Sequence, residues 1–306
     1  MKFSVGICVY NEEKNIKQIL HSVFSQKLGG HVLSEVLVVA SGCTDKTVPA
    51  VKKLQKKETK IKLIEQVKRE GKASALNLFV KKAKNRNLIL LSADTMLEKN
   101  TFMHLLDSLS QEQVGMSGAR VIPINNKDTF IGYAVHLQWR LHHLLNLDEK
   151  KQPKIGEIVA FKKIFERIPP SSAVDEASIE PLIHNQSYAV VYNPSAIIYN
   201  KGPETILDFI KQRRRIYSGH TALKYRQNYR VSTYSGLKIM KVLIKNLELR
   251  PIYIVYTIGA IALEGFSRLL GTIDYFLKTK DHTVWEVSKT TKTSFSNLKV
   301  VKNYDN

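Results

Sequence analysis

Polar side chains follow several short apolar runs of the chain, at positions where they could do chemistry. Glu12 comes shortly after the apolar run at residues 5–10, and Asp94 comes shortly after the run at residues 88–92. A carboxylate can accept hydrogen bonds from hydroxyl and imino groups, and it can provide an oxygen ligand for Mg²⁺ or Mn²⁺. Such a residue can also do no more than begin the next helix. The elements that position these residues must therefore decide between the two interpretations.

Basic residues form a second group of candidates. Arg69 and Lys72 precede a helical pattern, where a cation and the backbone N–H groups of a helix N-terminus both favour phosphate. The alternative for a single lysine is an ordinary solvated side chain. Three consecutive arginines at residues 213–215 could pair with phosphate oxygens, or they could form a patch that binds nucleic acid or lipid headgroups.

The hydrophobic pattern of the first hundred residues predicts the elements that hold these candidates. Short apolar runs rich in Val, Ile and Leu predict buried strands at residues 5–10, 35–40, 61–67 and 88–92. Apolar residues at helical spacing lie between them, and Asn11 is expected to cap the first helix. Ligands of such parallel sheets bind outside the carboxyl ends of the strands, so we expect the residues after each run to lie together.

The second half of the sequence is less regular. It predicts a long helix at residues 130–147 and strands at residues 114–123, 157–161 and 188–192. The apolar run at residues 252–263 stops at Glu264, short of the roughly 20 residues that span a bilayer. We therefore expect this run to form an in-plane or re-entrant membrane element.

An amphipathic segment precedes that run. Residues 236–249 repeat apolar side chains among Lys238, Lys241 and Lys245, which share one helical face. The pattern is typical of a helix that lies in a membrane interface, although a surface helix packed on the domain would show it too. Because an apolar run follows directly, we favour membrane contact.

Composition narrows the class of protein. The 306 residues are 43% hydrophobic and 24% charged, which is enough for a globular core. A formal net charge of +20 should attract anions such as nucleotide phosphates, nucleic acid or acidic lipids. The two cysteines, Cys8 and Cys43, lie in or beside predicted strands and are expected to be free thiols. The N-terminus lacks the features of a secretory signal, so we expect the protein on the cytoplasmic side.

Six segments occur in an order that resembles family 2 glycosyltransferases. They are SVGICVYNEEKNI at residues 4–16, VVASGCTDKT at 38–47, REGKASALN at 69–77, LILLSADTML at 88–97, AVDEASIEPL at 173–182 and IKQRRRIYSGH at 210–220. The resemblance implies an inverting enzyme with the GT-A fold, which is an α/β architecture with a mixed, mainly parallel sheet flanked by helices. It looks most like the membrane-associated type that is related to polysaccharide synthases.

The resemblance also implies roles for individual residues. The donor site would hold the base, ribose and diphosphate of a nucleotide sugar through Tyr10, Glu12, Ser41, Arg69, Lys72, Ala93, Asp94, Gln212 and Arg215. Asp94 would also be the protein ligand of Mg²⁺ or Mn²⁺. On the acceptor side Glu176 would be the catalytic base, with Asp175 as the second candidate.

The sequence departs from the family's pattern in three of these segments. Ala40 and Ser41 occupy the positions of an acidic pair, Ser92 occupies the first acidic position of the metal segment, and Ile216 replaces a Trp. These departures motivate an alternative, a catalytically inactive nucleotide-sugar-binding protein with the same fold. A nucleic-acid-binding protein is disfavoured because no module of that kind is present, and a dinucleotide-dependent oxidoreductase is disfavoured because no Gly-x-Gly-x-x-Gly follows the first strand.

The expected function is the transfer of a single sugar from a nucleotide sugar, a UDP-sugar in the first instance, with a divalent cation. The amphipathic segment and the apolar run suggest a glycolipid or polyprenyl-linked acceptor and a peripheral or monotopic location at the cytoplasmic face of the cell membrane. We expect residues 1–230 to form the catalytic domain and residues 231–306 to form a helical membrane-associating region.

Overall fold

The computed structural model describes residues 1–148, 153–231, 235–280 and 282, and it contains a single large sheet with helices on both faces. The strands are β1 (Lys2–Val9), β2 (Val32–Ser41), β3 (Ile61–Gln66), β4 (Asn87–Ser92), β5 (Thr95–Leu97), β6 (Val114–Pro123), β7 (Ile158–Lys162) and β8 (Ala189–Asn200). The helices are α1 (Ile16–Phe24), α2 (Thr47–Gln55), α3 (Lys72–Lys82), α4 (Thr101–Ser110), α5 (Phe130–Asp148), α6 (Asp175–His184), α7 (Ile206–Gln227), α8 (Gly236–Lys245) and α9 (Pro251–Leu277).

The strand order is β3-β2-β1-β4-β7-β6-β8-β5. β1 to β4 are mutually parallel, β7 runs antiparallel to β4 and β6, and β8 runs parallel to β6. This arrangement confirms the predicted mixed, mainly parallel sheet, and most predicted strands and the long helix α5 are present within a few residues of their expected bounds. The strand predicted at residues 188–192 is the exception, because β8 continues to Asn200. Because β7 is antiparallel, its first residue lies beside the carboxyl end of β4.

The sheet is stabilised by an apolar cluster on each face. Val5 and Ile7 of β1 contribute to one cluster with α1 and α4, and Phe79 and Val80 of α3 contribute to the other, all of them fully buried. Gly6 allows α3 to approach the sheet closely, since a Cβ atom at this position would lie 2.5 Å from the Phe79 ring. The close packing fixes the N-terminus of α3 at the carboxyl edge of β1.

The prediction that Asn11 caps the first helix is wrong. Asn11 has a left-handed backbone with φ of 53°, and α1 begins later, at Ile16. Its side-chain carbonyl accepts a hydrogen bond from the Thr44 N–H at 2.8 Å. Asn tolerates this backbone conformation better than most residues, and its short amide is suited to bridging two turns. The residue therefore links the turns that follow β1 and β2.

The prediction that the apolar segment stops at Glu264 is also wrong, because the helix that contains it is longer. Helix α9 continues without interruption to Leu277, and among the described residues it is the single helix long and apolar enough to cross a bilayer. One face of α9 carries small and polar residues that are buried against α5 and α7: Tyr253, Thr257, Ala260, Ser267, Gly271 and Asp274. Their spacing of three, four or seven residues follows the helical repeat along nearly the whole helix.

Two ion-paired carboxylates fix α9 to α7. Glu264 accepts hydrogen bonds from Nε and Nη2 of Arg213, both at 2.8 Å, and Asp274 pairs in the same bidentate manner with Arg214. These contacts explain why a charged residue does not end the helix. The proposed boundary after residue 230 stays a prediction, and residues 283–306 of the expected membrane-associating region lie outside the described residues.

Replacing Glu264 with Ala should lower the free energy of unfolding by about 3–5 kcal/mol, because the buried Arg213 guanidinium would lose its counter-charge. The measurement is the unfolding midpoint followed by circular dichroism. Glu65→Ala is the matched control, since Glu65 pairs with Lys52 on the surface and should contribute at most about 1 kcal/mol. Equal effects of the two substitutions would contradict this role for the buried pair.

Candidate active site

A cleft lies where the carboxyl ends of β1 and β4 meet the beginning of β7. Cys8 of β1 is in register with Ser92 of β4, and Leu91 of β4 is in register with Ile158 of β7. The cleft has a volume of about 950 Å³, which includes space open to solvent. Its polar and charged lining comprises Lys72, Ser92, Asp94, Gln138, His142, Lys154, Glu157, Glu176, Asn200, Gln212, Arg213, Arg215 and His220.

Lys72 is the first residue of α3 and follows Gly71, whose φ of 89° requires a residue without a Cβ atom. Its Nζ lies 2.7 Å from Oε1 of Glu176, 3.8 Å from Oδ2 of Asp175 and 3.4 Å from Oγ of Ser92. Burial lowers the pKa of Lys72, but the two carboxylates outweigh burial and raise it above the ordinary value. The ammonium group is therefore charged, and it connects the strand ends to the first turn of α6.

Asp175 and Glu176 have different environments, although they are adjacent in the sequence. Asp175 is fully buried and does not line the cleft, and burial raises its pKa to about 7. Glu176 lines the cleft, and although burial raises its pKa, the charge and hydrogen bond of Lys72 hold the pKa below its usual value. At neutral pH Glu176 is thus ionised, and it is the member of the pair that can reach a ligand.

Glu157 is a residue of the cleft that the sequence-based prediction missed as a site residue. It precedes β7, its backbone is left-handed with φ of 64°, and its carbonyl accepts a hydrogen bond from the Ser92 N–H. Burial and the nearby carboxylate of Asp94 raise the pKa of Glu157 to about 7. An isolated acidic residue ahead of an apolar run gave no signal, because the sequence does not show that β7 is antiparallel and begins beside Asp94.

Helix α7 contributes the basic side of the cleft. Gln212 and Arg215 line it as the sequence predicted for the donor site, and Nη1 of Arg215 donates to the carbonyl oxygen of Ala173 at 2.7 Å. Burial lowers the pKa of Arg215 to about 10, so the guanidinium stays charged at neutral pH. The Ala173 contact positions Arg215 beside the turn that leads into α6.

Five of the predicted donor-binding residues do not line this cleft: Ala93 is buried between Ser92 and Asp94, and the other four lie along the same edge of the sheet. The Arg69 guanidinium stacks on the Tyr10 ring, 3.9 Å from its centroid. Glu12 accepts a hydrogen bond from the Asn15 side chain at 2.9 Å. The buried Ser41 hydroxyl accepts a long hydrogen bond, 3.4 Å, from the Glu70 N–H. The structure thus brings Lys72, Asp94, Glu176, Gln212 and Arg215 together, buries Ala93 and leaves Tyr10, Glu12, Ser41 and Arg69 beside the neighbouring strands.

The donor atoms of the cleft suit a hard divalent cation. Asp94 and Glu157 provide carboxylates and Ser92 provides a hydroxyl. Ala93, which lies between Ser92 and Asp94 in the sequence, is buried. Within the described part of the chain, no cluster of three or more His, Cys, Asp or Glu side chains could hold a metal by itself. Mg²⁺ and Mn²⁺ commonly bind through one or two carboxylates together with substrate phosphates, so these residues fit a cation that arrives with a phosphate ligand.

Comparisons of the whole chain with known structures agree with this architecture. The structure is similar to a mannosyltransferase, PcManGT, from Pyrobaculum calidifontis in complex with GDP-Man and Mn²⁺, with a TM-score of 0.63, 18% identity and coverage of 91% of this chain and 88% of the other. It is also similar to TarS 1-349 of S. aureus in complex with UDP-GlcNAc, with a TM-score of 0.51, 16% identity and coverage of 90% and 89%. At these identities the similarity shows the fold, which is the GT-A fold.

Sequence comparisons identify the family. The poly-beta-1,6-N-acetyl-D-glucosamine synthase of Staphylococcus aureus (strain COL) is 22% identical over 229 residues, which are 71% of this chain and 54% of the synthase. The corresponding synthase of Staphylococcus epidermidis is 23% identical over the same length. The chain therefore spans about half the length of these curated relatives. The model of glycosyl transferase family 2 matches residues 4–169, more than half of the chain, and the protein belongs to that family.

Proposed function

We propose that the protein transfers a single sugar, with inversion, from a nucleotide sugar to an acceptor at a membrane surface. The observation that carries the proposal is the convergence of Lys72, Asp94 and Glu176 in one cleft at the carboxyl edge of the sheet. A cation for phosphate, a carboxylate for a metal and an ionised carboxylate for proton transfer are the groups that such a reaction requires.

The nucleotide would lie along the sheet edge, with its base and ribose beside Tyr10, Glu12 and Ser41. Its diphosphate would extend from Arg69, beside Tyr10, into the cleft, where Lys72 and Arg215 are cationic and Gln212 can donate a further hydrogen bond. A UDP-sugar is the first candidate, since TarS 1-349 is known in complex with UDP-GlcNAc, although PcManGT is in complex with GDP-Man. Both neighbours support a nucleotide sugar as the class of donor.

The divalent cation would be held by Asp94, with Glu157 as a second carboxylate. PcManGT is in complex with Mn²⁺, which supports a cation of this kind. When bound, the cation would neutralise charge on the leaving diphosphate. Glu157 faces Ser92 across β4 and β7, so it can supply at the neighbouring strand the acidic group that position 92 lacks.

Glu176 would act as the catalytic base. It would take the proton of an acceptor hydroxyl while that oxygen attacks the anomeric carbon, and the bond from that carbon to the nucleotide diphosphate would break on the opposite face. Lys72 pairs with Glu176 at 2.7 Å in the structure. Donor phosphates would compete for Lys72, and donor binding would thereby release Glu176 for the acceptor. Asp175, fully buried behind this pair, would have a positioning role.

The acceptor would be a glycolipid or a polyprenyl-linked glycan at the cytoplasmic face of the membrane. The outer face of α9 exposes large apolar residues, with Ile252, Val255, Ile258, Phe266 and Leu269 each at least half exposed. Its opposite face is ion-paired to α7, so a docked α9 suits a position in the membrane plane. Helix α8 also exposes the apolar residues Leu237 and Ile244, and its sequence places Lys238, Lys241 and Lys245 among them.

The metal assignment predicts graded losses of Mn²⁺ affinity, measured by electron paramagnetic resonance in the presence of UDP. Asp94→Asn should abolish detectable binding, and Glu157→Gln should weaken it about tenfold, since one of two carboxylates remains. Adding Ser92→Asp to Glu157→Gln should restore affinity, because the two positions are neighbours across the strand pair. Glu112→Gln, at an exposed acidic residue, is the control and should bind Mn²⁺ as the unmodified protein does. Unchanged affinity in Asp94→Asn would refute the site.

Replacing Glu176 with Gln should lower kcat about 100-fold or more, because the amide cannot accept the acceptor's proton. The affinity for a UDP-sugar should stay the same or rise, because the neutral Gln competes less than Glu with the donor phosphates for Lys72. Transfer assays and calorimetry give the two quantities. Full turnover by this variant would exclude Glu176 as the base, and donor binding without turnover by the unmodified protein, across several acceptors, would favour the inactive binding protein.

Membrane association predicts that Val255→Glu combined with Ile258→Glu lowers the fraction of protein that sediments with anionic vesicles at least tenfold. The substitutions place two charges on the exposed face of α9, where they should not disturb its contacts with α7. Val67→Glu is the matched control, because Val67 is 96% exposed on a different part of the molecule. Equal sedimentation of both variants would show that α9 is not the membrane contact.

A further inference from the structure

One wall of the cleft carries nitrogen-bearing side chains that the proposed transfer does not use. His142 comes from α5, Arg213 and His220 come from α7, and Lys154 comes from the segment ahead of β7. The first three side chains belong to residues that are 5%, 6% and 7% exposed, respectively. Such strongly buried polar groups normally have hydrogen-bond partners.

Three nitrogen atoms of this wall have no hydrogen-bond partner within the described part of the chain: Nη1 of Arg213, Nε2 of His142 and Nδ1 of His220. Arg213 directs Nε and Nη2 to Glu264, which leaves Nη1 as a charged donor. Nδ1 of His142 lies 3.3 Å from Nδ2 of Asn146, and an amide nitrogen can only donate, so the proton of the neutral ring resides on Nε2. Two of the three atoms are thus donors that await an acceptor.

The charges around this wall are not balanced. Glu264 is shared between Arg213 and Arg268. Glu180, the other acid nearby, is fully buried, and burial raises its pKa to about 8, so it is mostly neutral at pH 7. Burial, assisted by the charge of Arg213, lowers the pKa of Lys154 to about 7. Because two guanidinium groups share the single carboxylate of Glu264, positive charge exceeds negative charge at this contact, and an anion bound beside Arg213 would be stabilised by it.

We propose that this wall is an acceptor subsite that binds a phosphate ester, an inference that rests on the proposed sugar transfer. Charged and neutral N–H donors that lack an acceptor match phosphate oxygens, whereas sugar hydroxyls need acceptors as well as donors. The ester would be the phosphate that links the acceptor sugar to the rest of the acceptor.

The surroundings of the subsite indicate what that ester is attached to. Val135, Ile155 and Ile216 line the same cleft and provide an apolar surface. The two helices that form the wall, α5 and α7, are also the helices against which α9 packs. A hydrocarbon chain that leaves the subsite along these helices would thus remain beside the exposed apolar face of α9.

The subsite is separate from the place proposed for the donor diphosphate. Lys72 begins α3 and Asp94 follows β4, whereas the wall is formed by α5, the segment before β7 and side chains of α7 other than Gln212 and Arg215. A donor and an acceptor phosphate can therefore bind at the same time, and this difference makes the two sites experimentally distinguishable.

The test is calorimetric titration of the full chain, in detergent with saturating UDP and Mn²⁺, with geranyl phosphate and with geraniol. Geranyl phosphate should bind in the presence of UDP, geraniol should bind at least tenfold more weakly, and inorganic phosphate should compete with geranyl phosphate. Lys154→Gln and His220→Gln should each lower the affinity for geranyl phosphate at least tenfold, while the affinity for UDP stays unchanged. Lys81→Gln, at an exposed lysine of α3, is the matched control and should have no effect.

The proposal would be overturned if geraniol bound as tightly as geranyl phosphate, if UDP displaced geranyl phosphate, or if inorganic phosphate failed to compete. The competition uses the unmodified protein, so it decides the matter even where a substitution prevents folding. Geranyl phosphate binding without UDP, in a protein that binds no UDP-sugar with Mn²⁺, would support the subsite and refute the proposed transfer. Glycerol 3-phosphate distinguishes a water-soluble from a lipid-linked phosphate ester as the natural ligand. An affinity equal to that for geranyl phosphate indicates a water-soluble ester, and an affinity at least tenfold lower indicates a lipid-linked one.

Discussion

The ion pair between Lys72 and Glu176 is the contact on which the site depends. The two residues are 104 positions apart in the sequence, yet Nζ and Oε1 lie 2.7 Å apart in a largely buried environment. The pair joins α3, which is fixed to the sheet by its packing on Gly6, to the first turn of α6. Removal of one partner from a buried pair leaves an uncompensated charge, so each residue constrains the position of the other. Before a donor binds, this contact thereby fixes the distance between the donor side and the acceptor side of the cleft.

Helix α7 extends this constraint from the cleft to the C-terminal helix. Three consecutive arginines on a helix point in directions about 100° apart, so they cannot share one partner. Arg213 pairs with Glu264, Arg214 pairs with Asp274, and Arg215 donates to the Ala173 carbonyl beside α6. The sequence left these arginines open to nucleic acid or lipid headgroups, and two of them instead fix α9. The apolar surface of α9 and the wall of the cleft are therefore parts of one packed unit.

Much of the sheet could be predicted because buried parallel strands have an unambiguous pattern of Val, Ile and Leu. Features that depend on long-range contacts could not. Asn11 has a good helix-capping side chain, but the contact with Thr44 places it in a left-handed turn. Glu264 reads as the end of an apolar run until Arg213 is seen beside it. In the site, Lys72, Asp94 and Glu176 were found through their segments, whereas Glu157 required knowledge of the direction of β7.

The position of Glu157 bears on whether the departures at Ser92 and Ala40 indicate lost activity. A left-handed backbone disfavours a side chain with a Cβ atom by roughly 1 kcal/mol or more, and Gly would avoid this penalty. A glutamate is nevertheless present there, with φ of 64°, in the cleft and beside Asp94. A site that had lost its metal would gain stability by losing such a residue, since two nearby carboxylates also repel one another. The strain and repulsion would be offset if Asp94 and Glu157 both held a divalent cation, and this argument favours a working enzyme over an inactive relative.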